Sequence, residues 1–321
     1  MRNSNRLLIV GTLPATAGIG GVTIHIKRLL EFLDLRNFKY GFCDYKVCSI
    51  WTLLKVIASY KIIHINITNA YLVFALTFWA MLLRKKVIIT RHSNISRGNK
   101  ISRILIRLSI SIADAPIVLN TESLSIAKHY NKRSIQISSF IPPIKEETLT
   151  PDVKEQLSRF SKSGYERMFC TNAYAFALDS RGNEIYGLNC LLKIFAMLRD
   201  YGLIISDPSG TYTVWFRERG IVIPENVLII AKPHSFFEII RLTDAVIRNT
   251  STDGDSVTVK EALYIGKPVL CSNSVSRPKG CTLYPYNNTD AIKEVLCSDL
   301  TPPHAQITNG AEQLIEIYNS F

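Results

Sequence analysis

Short apolar runs of four to six residues alternate along this chain with longer stretches of helical period, and the alternation runs twice. Runs that short suit strands buried on both faces, and the stretches between them suit helices that cover those faces. The pattern therefore demands α/β units with parallel sheets. In the first half the predicted strands are Leu7–Val10, Ile62–Ile67, Val87–Thr90, Ala115–Leu119 and Ser134–Ser138. Predicted helices fall at Val22–Leu33, Ala70–Leu83, Lys100–Ile112 and Glu122–Tyr130, the last capped within Asn120-Thr121-Glu122-Ser123. Phe140-Ile141-Pro142-Pro143 breaks the pattern, and the polar stretch Lys145–Pro151 reads as a connection between domains.

The second half restarts the alternation. Strands are expected at Arg167–Ala173, Leu203–Ser206, Val227–Ile230, Asp244–Arg248 and Pro268–Ser272. Helices are expected at Gly187–Arg199, Thr211–Arg219, Ser235–Arg241 and Val257–Ile265, with Ala311–Asn319 as a closing helix. At 321 residues the length suits two domains. Their expected extents are 1–145 and 146–300, followed by a tail with the closing helix at 301–321. The fold class is α/β, with two Rossmann-like doubly wound domains facing across a cleft. Such sheets bind ligands beyond the carboxyl ends of their strands, which directs the search to the loops that follow the strands.

Charge separates the two halves. Residues 1–162 hold 24 Lys/Arg against 9 Asp/Glu, whereas residues 163–321 hold 14 against 17. A one-sided basic surface favours an anionic lipid surface or a phosphorylated ligand, and it also fits plain solvated surface. No nucleic-acid module accompanies it, so a nucleic-acid partner is not expected. The seven cysteines are scattered without a Cys-x-x-Cys pair, which argues against a zinc ribbon and fits reduced thiols in a cytoplasm. Leu7 to Val10 is too short for a signal-peptide core. Ala70 to Leu83, the most apolar stretch, falls short of the roughly 20 residues that span a bilayer and reads as a buried or interfacial helix.

Three loops carry candidate chemistry. The first, Thr12 to Gly21, contains Gly18, Gly20 and Gly21 before an amphipathic helix, so its backbone can approach a ligand closely. Thr23 stands where a dinucleotide fingerprint needs its third glycine, which weakens a nicotinamide reading. The second, Thr90-Arg91-His92-Ser93-Asn94, follows a strand and offers His92 as a partner for a hydroxyl or phosphate, with Arg91 to neutralise charge. His64, inside a strand, reads as a sheet histidine. The third runs from Arg248 through Asn249-Thr250-Ser251-Thr252-Asp253-Gly254-Asp255-Ser256 into a helix bearing Lys260 and Glu261. Amides at Gly254, Asp255 and Ser256 could hold a diphosphate at the helix start, and the carboxylates of Asp253 and Glu261 could accept from sugar and ribose hydroxyls. The same stretch also matches a capping box, Thr258-Val259-Lys260-Glu261, in which Glu261 would serve only the backbone.

Gly20-Gly21-Val22-Thr23-Ile24-His25, then Asn66 after Lys61-Ile62-Ile63-His64-Ile65, then Thr90-Arg91-His92 occur in the order seen in family-4 glycosyltransferases. The segment from Asp253 to Glu261, continuing Ala262-Leu263-Tyr264-Ile265-Gly266-Lys267-Pro268-Val269, resembles that family's Glu-x7-Glu region and the run that follows it. The likeness covers roughly residues 6–275 and is specific in its last segment. It implies the two-domain GT-B architecture, with an acceptor-side first domain and a nucleotide-sugar-binding second domain. By resemblance, Glu261 holds the nucleotide ribose, Asp253 and His92 meet the donor sugar, and Gly20 and Gly21 close over the phosphates. The implied reaction is a retaining transfer of a hexosyl-type sugar with no cofactor and no essential metal.

The basic first half suits a lipid-linked saccharide acceptor, carried on a polyprenyl diphosphate at an anionic membrane surface, in capsule or O-antigen synthesis. The protein would then be cytoplasmic and peripheral to the inner face of the membrane. Asp253 replaces the family's first glutamate, and the usual phosphate cations are missing where the chain reads Asn172-Ala173-Tyr174 and Tyr186-Gly187. Arg181, Arg248, Lys260 and Arg277 are the candidates to replace them. A GT-B nucleotide-sugar epimerase and a non-catalytic binding or assembly subunit remain the alternatives.

Overall fold

A computed structural model describes residues 6–17, 20–96 and 98–321. The chain divides into two compact units, residues 1–145 with 308–321, and residues 146–307.

In the first unit β1 (Leu7–Gly11), β2 (Tyr40–Asp44), β3 (Ile62–Ile65), β4 (Lys86–Arg91), β5 (Ala115–Val118) and β6 (Ile135–Gln136) form one sheet. All pairs are parallel, in the order β2-β1-β3-β4-β5-β6. Period-two alternation explains why the strands read as continuous apolar runs. Leu8 and Val10 face one core with α3 (Ile50–Ser59), α4 (Ala70–Leu82), α5 (Lys100–Ile112) and α6 (Thr121–Tyr130). Leu7 and Ile9 face another with α2 (Gly21–Leu35) and α13 (Gly310–Ser320). Asparagine side chains start four of these helices, Asn69 before α4, Asn99 before α5, Asn120 before α6 and Asn309 before α13, each accepting from backbone amides of the first turn. The short α1 (Pro14–Ala17) precedes α2.

The closing helix belongs to this unit and is not part of a separate tail at 301–321, the extent expected from the sequence. Leu314 and Tyr318 enter the core beneath β1, and Gly310 donates its amide to the Phe140 carbonyl at 2.8 Å. A side chain at Gly310 would meet the Ser138 carbonyl at 2.0 Å, so only glycine allows the helix start to approach that close.

The second unit holds β7 (Arg167–Asn172), β8 (Tyr201–Ser206), β9 (Val227–Ile230), β10 (Ala245–Arg248), β11 (Val269–Ser272) and β12 (Cys281–Tyr284), again all parallel. Its order, β12-β11-β10-β7-β8-β9, means the chain starts centrally, winds out to β9 and returns to the other side of β7 at β10. That is the dinucleotide-fold order, and ligands of such sheets sit where the winding reverses. Here that point lies between β7 and β10; in the first unit it lies between β1 and β3. The flanking helices are α7 (Pro151–Ser161), α8 (Leu188–Met197), α9 (Thr211–Glu218), α10 (Phe236–Leu242), α11 (Val257–Tyr264) and α12 (Thr289–Cys297). Each face of the sheet has its own apolar core.

Candidate functional site

At the reversal point of the first unit, β1 ends in Gly11 and the chain enters the loop toward α2. Asp44, at the end of β2, holds this loop, its Oδ2 accepting from Thr12 Oγ1 at 3.2 Å and from the Leu13 amide at 3.3 Å. Gly18 lies outside the described residues. Gly20 is the extended residue before α2, which begins at Gly21. The Thr23 hydroxyl accepts from the Gly20 amide at 3.0 Å and donates to the Gly20 carbonyl at 3.0 Å. The residue that spoils the dinucleotide fingerprint thus closes the helix start.

His92 follows β4 and is half-buried. Its Nε2 lies 3.2 Å from Asn66 Oδ1, just beyond β3, and its ring meets the ring of His25 edge-on at 5.2 Å. His25, buried on α2, places its Nδ1 2.8 Å from the Ser139 carbonyl. Burial, and then the nearby His25, His64 and Arg91, push His92 well below the ordinary histidine value. His92 is therefore neutral at neutral pH; with Asn66 Oδ1 accepting, Nε2 carries the proton and Nδ1 a lone pair. The Nδ2 of Asn66 is buried and makes no hydrogen bond among the described residues. Arg91 donates to the Thr68 carbonyl at 2.9 Å, bracing the neighbouring loop. His64 is the sheet histidine expected, fully buried between Tyr318 (2.6 Å) and Thr90 (2.7 Å) and lowered to about 3 by burial and by His25.

In the second unit the reversal point gathers charge. Arg248 ends β10, directs Nε to Asp253 Oδ2 at 3.1 Å, and reaches across to the end of β7 with NH1, 2.8 Å from the Asn172 carbonyl and 2.9 Å from its Oδ1. Its guanidinium lies 5.1 Å from the centre of the Tyr186 ring. Arg277 shares the same carboxylate oxygen at 3.1 Å and donates through NH2 to Thr250 Oγ1 at 2.7 Å. Asp253 and both arginines are almost wholly shielded from solvent. Burial works to raise the Asp253 carboxyl, but the two guanidinium groups outweigh it, so Asp253 titrates below its ordinary value. Lys260 pairs with Asp255 at 2.5 Å. The Asp253-Gly254-Asp255 carboxylates are thus both ion-paired, and among the described residues no His, Cys, Asp and Glu cluster could hold a metal.

Helix α11 starts two residues earlier than a capping box at Thr258 requires. Ser256 is the cap, accepting from the Val259 amide at 3.4 Å. Glu261 therefore lies in the second turn, buried, and does not cap the helix. Thr258 instead donates to Asn172 Oδ1 at 2.9 Å, tying the helix to β7. Of the amides expected to hold a diphosphate, Gly254 donates to the Asp253 carboxylate at 3.1 Å.

Four further residues beside this cluster have roles that no sequence motif assigns. Glu184 caps α8, accepting from the amides of Leu188 at 2.6 Å and Asn189 at 3.3 Å, and burial raises its carboxyl against those amides. Asn249 and Asn287 clasp Gly187, whose φ of 55° is left-handed. Tyr186 supplies the ring beneath Arg248. None belongs to a recognisable motif: Asn249, Asn287 and Tyr186 act through distant partners, and Glu184 caps a helix that begins four residues on. Of the candidate replacement cations, Arg248, Lys260 and Arg277 join the cluster around the Asp253 loop, while Arg181 stands in an exposed turn whose amide donates to Asp179.

Two parallel Rossmann-like sheets of these orders define a protein of the GT-B fold. Among solved structures the chain is similar to Anabaena Alr3699/HepE in complex with UDP and glucose, with a TM-score of 0.70 over 99% of this chain and 100% of that one at 12% identity. It also resembles sucrose-phosphate synthase from Thermosynechococcus elongatus, with a TM-score of 0.62, 13% identity and coverage of 98% and 95%. A UDP-GlcNAc 2-epimerase from Methanocaldococcus jannaschii, in complex with UDP-GlcNAc and UDP, matches at a TM-score of 0.60, 11% identity and coverage of 99% and 100%. No family model and no curated protein matches the sequence.

Proposed function

We propose that this chain is a glycosyltransferase that moves a sugar from a nucleotide-sugar donor, held by its second unit, to a lipid-linked saccharide acceptor. The observation that carries the reading is the ion-paired cluster of Arg248, Asp253 and Arg277 at the reversal point of a sheet in dinucleotide-fold order, followed by a helix on which Glu261 is buried. The Glu261 carboxylate, buried in the second turn of α11, is of the acceptor type that ribose hydroxyls require. Arg248 supplies positive charge to a departing diphosphate, and its NH2 makes no hydrogen bond among the described residues. Asp253 fixes both arginines and, through them, the ends of β7, β10 and β11. The HepE structure contains UDP and glucose, which favours a UDP-sugar as the donor.

In the first unit His92, neutral and fixed by Asn66, offers a hydrogen bond to a sugar hydroxyl. The reaction we propose is retaining and metal-independent, its barrier lowered by electrostatic stabilisation of the leaving nucleotide while the sugar passes through an oxocarbenium-like state.

The acceptor reading rests on the first unit's charge and surface. Residues 1–145 with 308–321 hold 21 Lys/Arg against 7 Asp/Glu, while residues 146–307 hold 17 against 19. No helix among the described residues is long and apolar enough to cross a membrane. Trp51 on α3, Tyr71 and Phe78 on α4 and Ile101 and Ile104 on α5 are nevertheless exposed. These helices cover one face of the sheet, and basic residues lie among and beside them. That combination suits a peripheral contact with an anionic membrane.

The test is a thermal-shift screen with UDP-, GDP-, ADP-, dTDP- and CMP-sugars, run beside Glu261→Ala. One nucleotide class should raise the melting temperature, and the substitution should abolish the rise. No shift with any donor would leave a non-catalytic subunit. Conversion of the free nucleotide sugar without acceptor would instead mark an epimerase.

A further inference from the structure

Cys43 is the fourth residue of β2 and is 4% exposed, whereas Cys48 is half-buried in the turn before α3. The two sulfurs are 3.3 Å apart, with the Cys43 thiol donating to Cys48. A disulfide requires about 2.05 Å, so the pair needs a further approach of only about an ångström. The intervening turn holds this spacing. The amides of Val47 and Cys48 donate to the Asp44 carbonyl at 3.1 and 3.0 Å, and the Lys46 amide donates to Asp44 Oδ1 at 3.0 Å.

Asp44 joins this turn to the loop after β1. While Oδ1 serves the turn, Oδ2 accepts from Thr12 and Leu13, and the Tyr45 amide donates to the Gly11 carbonyl at 3.1 Å. Asp44 and Tyr45 thus tie the turn directly to Gly11, Thr12 and Leu13, where the loop after β1 begins. Burial, then the hydrogen bond and proximity of Cys48, push the Cys43 thiol up to about 12. Cys43 is thus protonated and enclosed, and Cys48 is the sulfur that a small oxidant meets first.

We propose that Cys43 and Cys48 form a reversible dithiol–disulfide site that reacts with hydrogen peroxide and acts on the loop held by Asp44. The Cys48 sulfur attacks one peroxide oxygen; the O–O bond breaks, one water leaves with the thiol proton, and Cys48 becomes a sulfenic acid. The Cys43 sulfur then attacks the Cys48 sulfur, the S–O bond breaks, and the hydroxyl leaves as a second water with the Cys43 proton. Two thiols lose two electrons in all, and one peroxide is reduced to two waters. A dithiol reductant reverses the step by thiol–disulfide exchange.

Mapping must distinguish this pair from Cys271 and Cys281, which hydrogen-bond each other in the second unit, and from the exposed Cys297. The full chain is reduced, treated with hydrogen peroxide, blocked with N-ethylmaleimide and analysed by intact mass and peptide mapping. The expected result is a loss of two hydrogens at a 43–48 linkage, reversed by dithiothreitol and absent in Cys48→Ser. In Cys43→Ser the oxidation should stop at a sulfenic acid on Cys48 that dimedone traps. Hydrogen exchange at the Leu13 amide should become several-fold faster on oxidation of the native chain and stay unchanged in Cys48→Ser. A linkage confined to Cys271–Cys281, or an equal mass loss in Cys48→Ser, overturns the site. A 43–48 disulfide with unchanged exchange at Leu13 overturns its action on the loop. None of these readouts uses donor turnover, so they stand apart from the fate of the transferase reading.

Discussion

At the residue scale the charge cluster of the second unit sets the terms. Asp253 is nearly buried and faces two arginines, so removing one partner leaves charge that solvent cannot compensate. Breaking such a pair typically costs about 3–5 kcal/mol, and Arg277→Ala should lie near the lower figure because Arg248 still holds the carboxylate. Urea unfolding of the wild type and the variant at neutral pH checks it. The pH dependence has a definite sign. Asp253 titrates below its ordinary value of 3.8 when folded, so the unfolded chain binds the proton first on acidification. Its contribution to stability is complete above that ordinary value and is lost as pH falls through the lower, folded value. The stability difference between wild type and Asp253→Asn should accordingly be constant from neutral pH down to about 5 and shrink below about 4. A difference that grows on acidification would contradict the ion-pair assignment. In the first unit, Asn66→Asp places a carboxylate where the amide oxygen sits 3.2 Å from His92 Nε2. It should raise the His92 pKa by one unit or more, read from the imidazole nitrogen shifts.

At the scale of elements, Gly187 decides how α8 begins. A side chain there would meet Asn249 Nδ2 at 2.3 Å and Asn287 Oδ1 at 2.6 Å, on backbone that is already left-handed. Gly187→Ala should lower stability by roughly 1–3 kcal/mol, as both the conformation and the clash oppose it. Differential scanning calorimetry reads the loss directly. The same scale shows what the sequence discloses. Val227–Ile230 and Lys100–Ile112 stand with the predicted bounds, because a compact apolar run or a clean helical period marks each. Strand β2 went unread because Tyr-Gly-Phe-Cys-Asp, on a sheet edge, is mostly half-buried and contains no aliphatic run. The polar α7 announces itself mainly by Pro151 at its first turn, which also reads as the end of a linker. Among the candidate residues, Asp253 and Glu261 of the second unit and His92 of the first could be singled out by local motif. Asn172 and Tyr186 could not, since their roles depend on which strands become neighbours, and the winding of the sheet settles that.

At the scale of the whole molecule, the asymmetry of charge is the property that no single site explains. The first unit carries a surplus of fourteen positive charges and the second a deficit of two, so an anionic surface attracts one part of the chain and is nearly indifferent to the other. Charge alone would act over a Debye length of about 8 Å at physiological salt and fade as salt rises. The exposed side chains of α3, α4 and α5 add a second, salt-resistant part, because Trp51, with 72% of its surface free, and Ile101 and Ile104 gain from burial at the headgroup boundary. Co-sedimentation with vesicles should therefore show strong binding to anionic bilayers, weak binding to neutral ones, and partial release at high salt. Trp51→Glu should weaken the salt-resistant fraction without unfolding the chain, since the residue lies outside the apolar core. Replacing Lys55 and Arg84 by glutamine should mainly weaken the salt-sensitive fraction, at about 1 kcal/mol per charge near the surface. Equal binding to neutral and anionic vesicles would leave the basic surface without a membrane role. The acceptor would then have to be sought among phosphorylated molecules free in solution.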